Sequence, residues 1–158
     1  MRTAMIAAAP LLALALLAGS AGAAVRTQTV EYRQGDTVLR GHLAWDDALA
    51  GPRPGVLVVH EWYGLNDFAR QRAEELARLG YAALAADMYG GGRVAADAKE
   101  AASLSSGLKQ DRPLLRARAA AALAVLQERP EVDRRRTAAI GYCFGGTTVL
   151  ELARAGAD

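Results

Sequence analysis

Two hydrophobic rhythms alternate along the chain. Thr27 to Arg33 and Thr37 to Trp45 each alternate apolar and polar positions around a Gly35-Asp36 turn signal, which predicts an antiparallel hairpin opening a sheet. Val56-Leu57-Val58-Val59 is an unbroken apolar run, as expected of a strand covered on both faces. Behind a cap at Asn66 or Asp67, the residues Phe68, Ala69, Ala73, Leu76 and Leu79 recur at helical spacing until Gly80 stops the pattern. Tyr81 to Ala86 predicts another buried strand. From Asp87 the pattern becomes irregular, and Gly90-Gly91-Gly92 predicts a loop. A long helix is expected from about Asp111, with Pro113 tolerated in its first turn and a buried stripe of Leu115, Ala119, Ala122, Leu123 and Leu126, ending at Pro130. Thr137 to Tyr142 then predicts a strand and Thr147 to Ala155 a helix. This order of elements predicts an α/β fold with a mainly parallel sheet.

The first 23 residues stand apart from that pattern. Arg2, the apolar run Ala4 to Ala18 and the small-residue stretch Ala21-Gly22-Ala23 predict a cleaved secretory signal, leaving residues 24–158 as one domain that is secreted or periplasmic. The run is too short for a membrane span and is broken by Pro10, so no membrane contact is expected after its removal. The 158 residues carry 19 Lys+Arg against 17 Asp+Glu, a net charge of +2 that leaves no excess to drive nucleic-acid binding. Arg134-Arg135-Arg136 is expected in a solvated loop. Cys143 is the sole cysteine, so no internal disulfide forms, and the thiol is either buried and inert or kept for chemistry. The histidines are His42 and His60, with no CxxC or HExxH spacing, so neither metal nor cofactor is expected.

Gly141-Tyr142-Cys143-Phe144-Gly145-Gly146 falls at the last strand-to-helix junction and has the G-x-nucleophile-x-G form of a nucleophile elbow. Residues two before and two after the nucleophile crowd such a turn, and glycine at 141 and 145 relieves the contact. The helix N-terminus beyond the turn favours negative charge at the site, and the Phe144 N–H is a candidate donor to a developing oxyanion.

A second cluster, His60-Glu61-Trp62-Tyr63-Gly64, follows the buried strand, where open α/β sheets carry their ligand loops. Together with Asp87-Met88-Tyr89-Gly90 and the elbow, it resembles the dienelactone hydrolase family of the α/β-hydrolase fold, over about residues 27 to 155. The resemblance implies Cys143 as nucleophile and Glu61 as the carboxylate that contacts the resting thiol. It also implies the Trp62 and Phe144 N–H groups as oxyanion donors, with a small ester or lactone opened through an acyl-enzyme. His60 is expected in packing or loop hydrogen bonding, because a triad histidine follows the nucleophile in this chain order.

Two departures from the family stand out. Only 15 residues follow Cys143, including Glu151 and Asp158 but no histidine, so the triad acid and base are missing from the sequence as it stands. The expectation is a C-terminally truncated form whose missing strands leave the elbow strand as a sheet edge prone to aggregation, with about 100 further residues completing the domain. The complete protein is expected to be a monomer. Some family members also carry an arginine soon after the Asp-x-Tyr segment. Gly90 and Gly91 occupy those positions here, so Tyr89 and the displaced Arg93 are the candidate substrate contacts. The competing readings are a complete, non-catalytic protein that binds a ligand in the same cleft, and a redox-sensing thiol at Cys143.

Overall fold

The structure, a computed structural model, describes residues 25–157; the expected signal segment lies outside them. The chain runs β1 (Val25–Gln34), β2 (Thr37–Asp46), β3 (Arg53–Val59), α1 (Asp67–Arg78), β4 (Ala82–Ala86), α2 (Ala98–Gln110), α3 (Arg112–Gln127), β5 (Val132–Gly141) and α4 (Phe144–Arg154). The five strands form one sheet in the order β1-β2-β4-β3-β5. The opening hairpin pairs antiparallel and β2 joins β4 antiparallel, whereas β4, β3 and β5 run parallel. The expected α/β-hydrolase-like sheet with an N-terminal hairpin is what the chain builds.

Alternation along β3 explains its unbroken apolar run. Val56 and Val58 face a cluster with Ala69, Ala73 and Ala77 of α1, while Leu57 and Val59 face the opposite cluster with Leu115, Ala119 and Leu126 of α3 and Leu152 of α4. Three layers result, with helices covering both sheet faces. The stripe expected on α3 is buried as read. On α1 the buried row is Ala69, Ala73 and Ala77, and Phe68 and Leu79 are exposed, contrary to expectation. Alanines four apart let the helix lie close on the small side chains of β4, and Phe68, about 100° around the axis from Ala69, falls on the flank. Its ring meets Tyr142 edge-on at 5.2 Å and carries the Arg72 guanidinium over its face.

Two further expectations need correction. α2 occupies part of the segment expected to be irregular: the Asp97 side chain accepts from Glu100 N, and the Glu100 carboxylate reaches back to Ala96 N, each at 2.8 Å. Arg134 to Arg136 are exposed as expected, yet they lie within β5 rather than in a loop. The β3 register jumps there, Pro54 facing Asp133 and Gly55 facing Thr137, so the three arginines form a bulge beside one neighbouring strand. Among the described strands β5 pairs only with β3, which makes the elbow strand an edge.

Candidate active site

Register places three loops together. Val59 at the end of β3 faces both Ala86 and Gly141, so the carboxyl ends of β4, β3 and β5 lie side by side. The segments leaving them are Asp87–Tyr89, His60–Trp62 and Tyr142–Cys143, the three stretches singled out from sequence. Topology thus gathers segments far apart in the chain at the end of the sheet where α/β proteins place their ligands.

The turn at Cys143 is tight. Cys143 has φ 53°, the one non-glycine residue with positive φ among those described. A Cβ on Gly141 would stand 2.2 Å from the backbone of Gly145, and one on Gly145 would stand 2.2 Å from the Val59 carbonyl oxygen. Both glycines therefore exist to let α4 dock its first turn against the ends of β5 and β3. A β-carbon in the left-handed region costs on the order of 1–3 kcal/mol, and the packed surroundings hold it there. The thiol is exposed. It lines a cavity of about 260 Å³ with Trp62, Ser105, Lys109, Phe144 and Thr147.

The backbone N–H groups of Trp62 and Phe144 have no acceptor within the described protein, although the surrounding turns are hydrogen-bonded. Two unpaired donors beside one thiol can hold an oxyanion formed at the cavity. The Glu61 carboxylate is half-buried, with neither an ion pair nor a hydrogen bond to Cys143 or to an arginine among the described residues. It is the free carboxylate of the loop.

His60 is fully buried, as packing and loop bonding require. Its Nε2 accepts the Met88 N–H at 3.2 Å, which places the ring proton on Nδ1, where it donates to the Glu61 carbonyl at 2.5 Å. Burial pushes its pKa down to about 4, so the ring is neutral near pH 7. With both nitrogens engaged, His60 cannot serve as the base for Cys143. His42 lies on β2 against Glu74 of α1 and takes no part in the site. Glu151 follows the nucleophile in the chain, but its carboxylate is held by Arg112, Arg116 and Arg154 at the contact of α3 with α4.

Tyr89 and Arg93, the expected substrate contacts, have different surroundings. Tyr89 is buried, and its hydroxyl donates to the Trp62 carbonyl at 2.7 Å. Burial, and then the neighbouring Cys143, push its pKa up. Arg93 is exposed and ion-paired with Glu100 at the start of α2, away from the cavity wall. The cation on the cavity wall is Lys109, from the helix that periodicity missed. Asp87 belongs to a motif singled out from sequence, which assigns it no role of its own; its buried carboxylate accepts the backbone N–H groups of Arg40, Tyr89, Gly90 and Gly92 and so shapes the whole Asp87–Gly92 turn. Among the described residues no cluster of His, Cys, Asp or Glu could hold a metal ion, and no helix is long and apolar enough to cross a membrane.

Known proteins resemble this chain in sequence and fold. A solved dienelactone hydrolase-like promiscuous phosphotriesterase, P91, from metagenomic libraries is 51% identical with a TM-score of 0.83, over 86% of this chain and 56% of that one. A Synechocystis protein named as a candidate carboxymethylenebutenolidase is 28% identical over 141 residues, 79% of this chain and 52% of its own. Protein usf of Aquifex pyrophilus is 28% identical over 133 residues, 80% of this chain and 54% of its own. The chain spans about half the length of the relatives it matches. The family model for the dienelactone hydrolase family matches residues 39–158, from the second strand through the elbow, and the chain belongs to that family.

Proposed function

We propose that this chain carries the nucleophile and oxyanion hole of a hydrolase that opens small esters or lactones through an acyl-enzyme. The Cys143 sulfur attacks the acyl carbon as thiolate, and the carbonyl oxygen takes up the negative charge between the Trp62 and Phe144 N–H groups. Collapse of that intermediate breaks the acyl C–O bond, and the leaving alkoxide takes a proton from a general acid. Water then adds to the thioester, giving the free acid and restoring the thiol. Because His60 and Glu151 are committed elsewhere, the triad base and acid in this reading come from outside residues 25–157. We also read the protein as exported, on the pattern of Arg2, Ala4 to Ala18 and Ala21-Gly22-Ala23.

The observation that carries the proposal is the strained, exposed Cys143 sharing one cavity with two loops whose N–H groups lack acceptors. Its test is alkylation of the full-length protein with iodoacetamide. One equivalent of label on Cys143 is expected to remove hydrolysis of a p-nitrophenyl ester, and a saturating slow ester to retard labelling. A fully labelled protein that still turns over the ester would refute the proposal.

A further inference from the structure

The peptide linking Glu61 to Trp62 contributes the Trp62 N–H, and its other end is heavily engaged. Its carbonyl oxygen, that of Glu61, accepts the His60 Nδ1–H at 2.5 Å and the Gly64 N–H at 3.3 Å. The next carbonyl along, that of Trp62, accepts the Tyr89 hydroxyl at 2.7 Å. Loop carbonyls on both sides of the unpaired N–H are thus tied to two buried rings, while the N–H itself is left without a partner. A peptide whose oxygen accepts two hydrogen bonds is polarised toward a stronger N–H donor, and a donor held from both sides needs no reorganisation when charge appears.

Neither ring is free to move. His60 is fixed at Nε2 by the Met88 N–H, meets Tyr89 edge-on at 4.9 Å and stacks on Phe144 at 5.8 Å. Met88 and Tyr89 sit in the turn organised by the Asp87 carboxylate, whose backbone is also tied to the Tyr32 hydroxyl. Phe144, which contributes the second unpaired N–H, packs on His60 and Tyr89 through its own ring, at 5.8 Å in each case. One aromatic cluster therefore touches the residues carrying both donors.

We infer that His60 and Tyr89 are positioning residues that hold the Glu61–Trp62 peptide so that its N–H stands beside Cys143 as an oxyanion donor. In this inference both rings act through the backbone they hold. The inference rests on the proposed hydrolytic reading and adds to it the source of the oxyanion hole's rigidity.

The test uses the full-length protein and three variants, His60→Leu, His60→Gln and Tyr89→Phe, each measured for kcat, KM and the rate of Cys143 alkylation by iodoacetamide, a reaction that needs no oxyanion hole. Misplacing a catalytic group by about 1 Å can cost about 10²-fold. His60→Leu is expected to lower kcat about 10²-fold and Tyr89→Phe about 10-fold, with KM and alkylation within about twofold of the parent, because only transition-state binding is lost. His60→Gln, which restores a donor and an acceptor, is expected to recover at least about tenfold of the kcat lost by His60→Leu. Should His60→Leu fail to fold, Tyr89→Phe decides alone: an unchanged kcat overturns the inference. It is also overturned if the Gln and Leu variants of His60 are equally impaired, or if alkylation falls in step with kcat. A Cys143→Ala control that keeps full turnover would instead sink the hydrolytic reading, whatever the His60 variants do.

Discussion

Replacing Cys143 by alanine in the full-length protein is expected to lower ester turnover by about 10⁶-fold, the scale seen when the nucleophile of a triad hydrolase is deleted. The size follows from what the position supplies. Cys143 is exposed on a turn with φ 53°, and no other cysteine stands among these 158 residues to replace it. Alanine carries a β-carbon as cysteine does, so the strain of the turn is retained and only the sulfur is removed. Folding is therefore expected to be unaffected, with a thermal midpoint within a few degrees of the parent. The residual rate, from the oxyanion donors and substrate binding alone, should still exceed that in water. Steady-state kinetics on a p-nitrophenyl ester with a thermal melt checks both halves.

The second large effect is structural. Gly145→Ala is expected to destabilise the domain by more than about 3 kcal/mol and to leave little folded protein. Its new methyl would lie 2.2 Å from the Val59 carbonyl oxygen and 2.8 Å from that of His60, both backbone atoms of the strand end that cannot step aside. To relieve the clash α4 must retreat from β3, which takes the Phe144 N–H away from the Trp62 loop. Gly146→Ala is the control. A methyl there meets Gly141 O at 3.4 Å, an ordinary contact, at a helical position where alanine is favoured by about 1 kcal/mol. Denaturant midpoints should thus fall steeply for one variant and hold or rise slightly for its neighbour. Equal midpoints would contradict the close approach that defines the turn.

What could be read from sequence follows how local each cause is. The elbow was legible because its steric demand acts between residues four apart, and two glycines in that register have few other uses. The strand β3 and the buried stripe of α3 were legible because periodicity reports which faces are covered. α2 escaped because Ser103, Ser105, Ser106 and Gly107 dilute its apolar pattern, although Asp97 followed three residues later by Glu100 was a start signal on the page. The bulge at Arg134 to Arg136 escaped because it is a property of the pairing with β3, visible only as a register jump.

The site shows the same division. The positions of Cys143, Trp62 and Phe144 at one cavity follow from strand order and register acting on local motifs. The tasks of Tyr89 and Asp87 depend on partners 27 and 47 residues away, Trp62 and Arg40, and no local pattern encodes them. Arg93 was attractive as a free cation, and the structure occupies it with Glu100 seven residues on. Lys109 reaches the cavity only because α2 exists to carry it there.

The most direct measurement is to catch the covalent intermediate. The full-length protein is mixed with an activated ester, quenched in acid within milliseconds, digested and weighed. The expected result is the acyl mass on the peptide containing Cys143, formed at least as fast as steady-state turnover and absent from Cys143→Ala. Steady hydrolysis with Cys143 unmodified at every quench time, or the acyl group on another residue at that rate, would contradict attack by this sulfur.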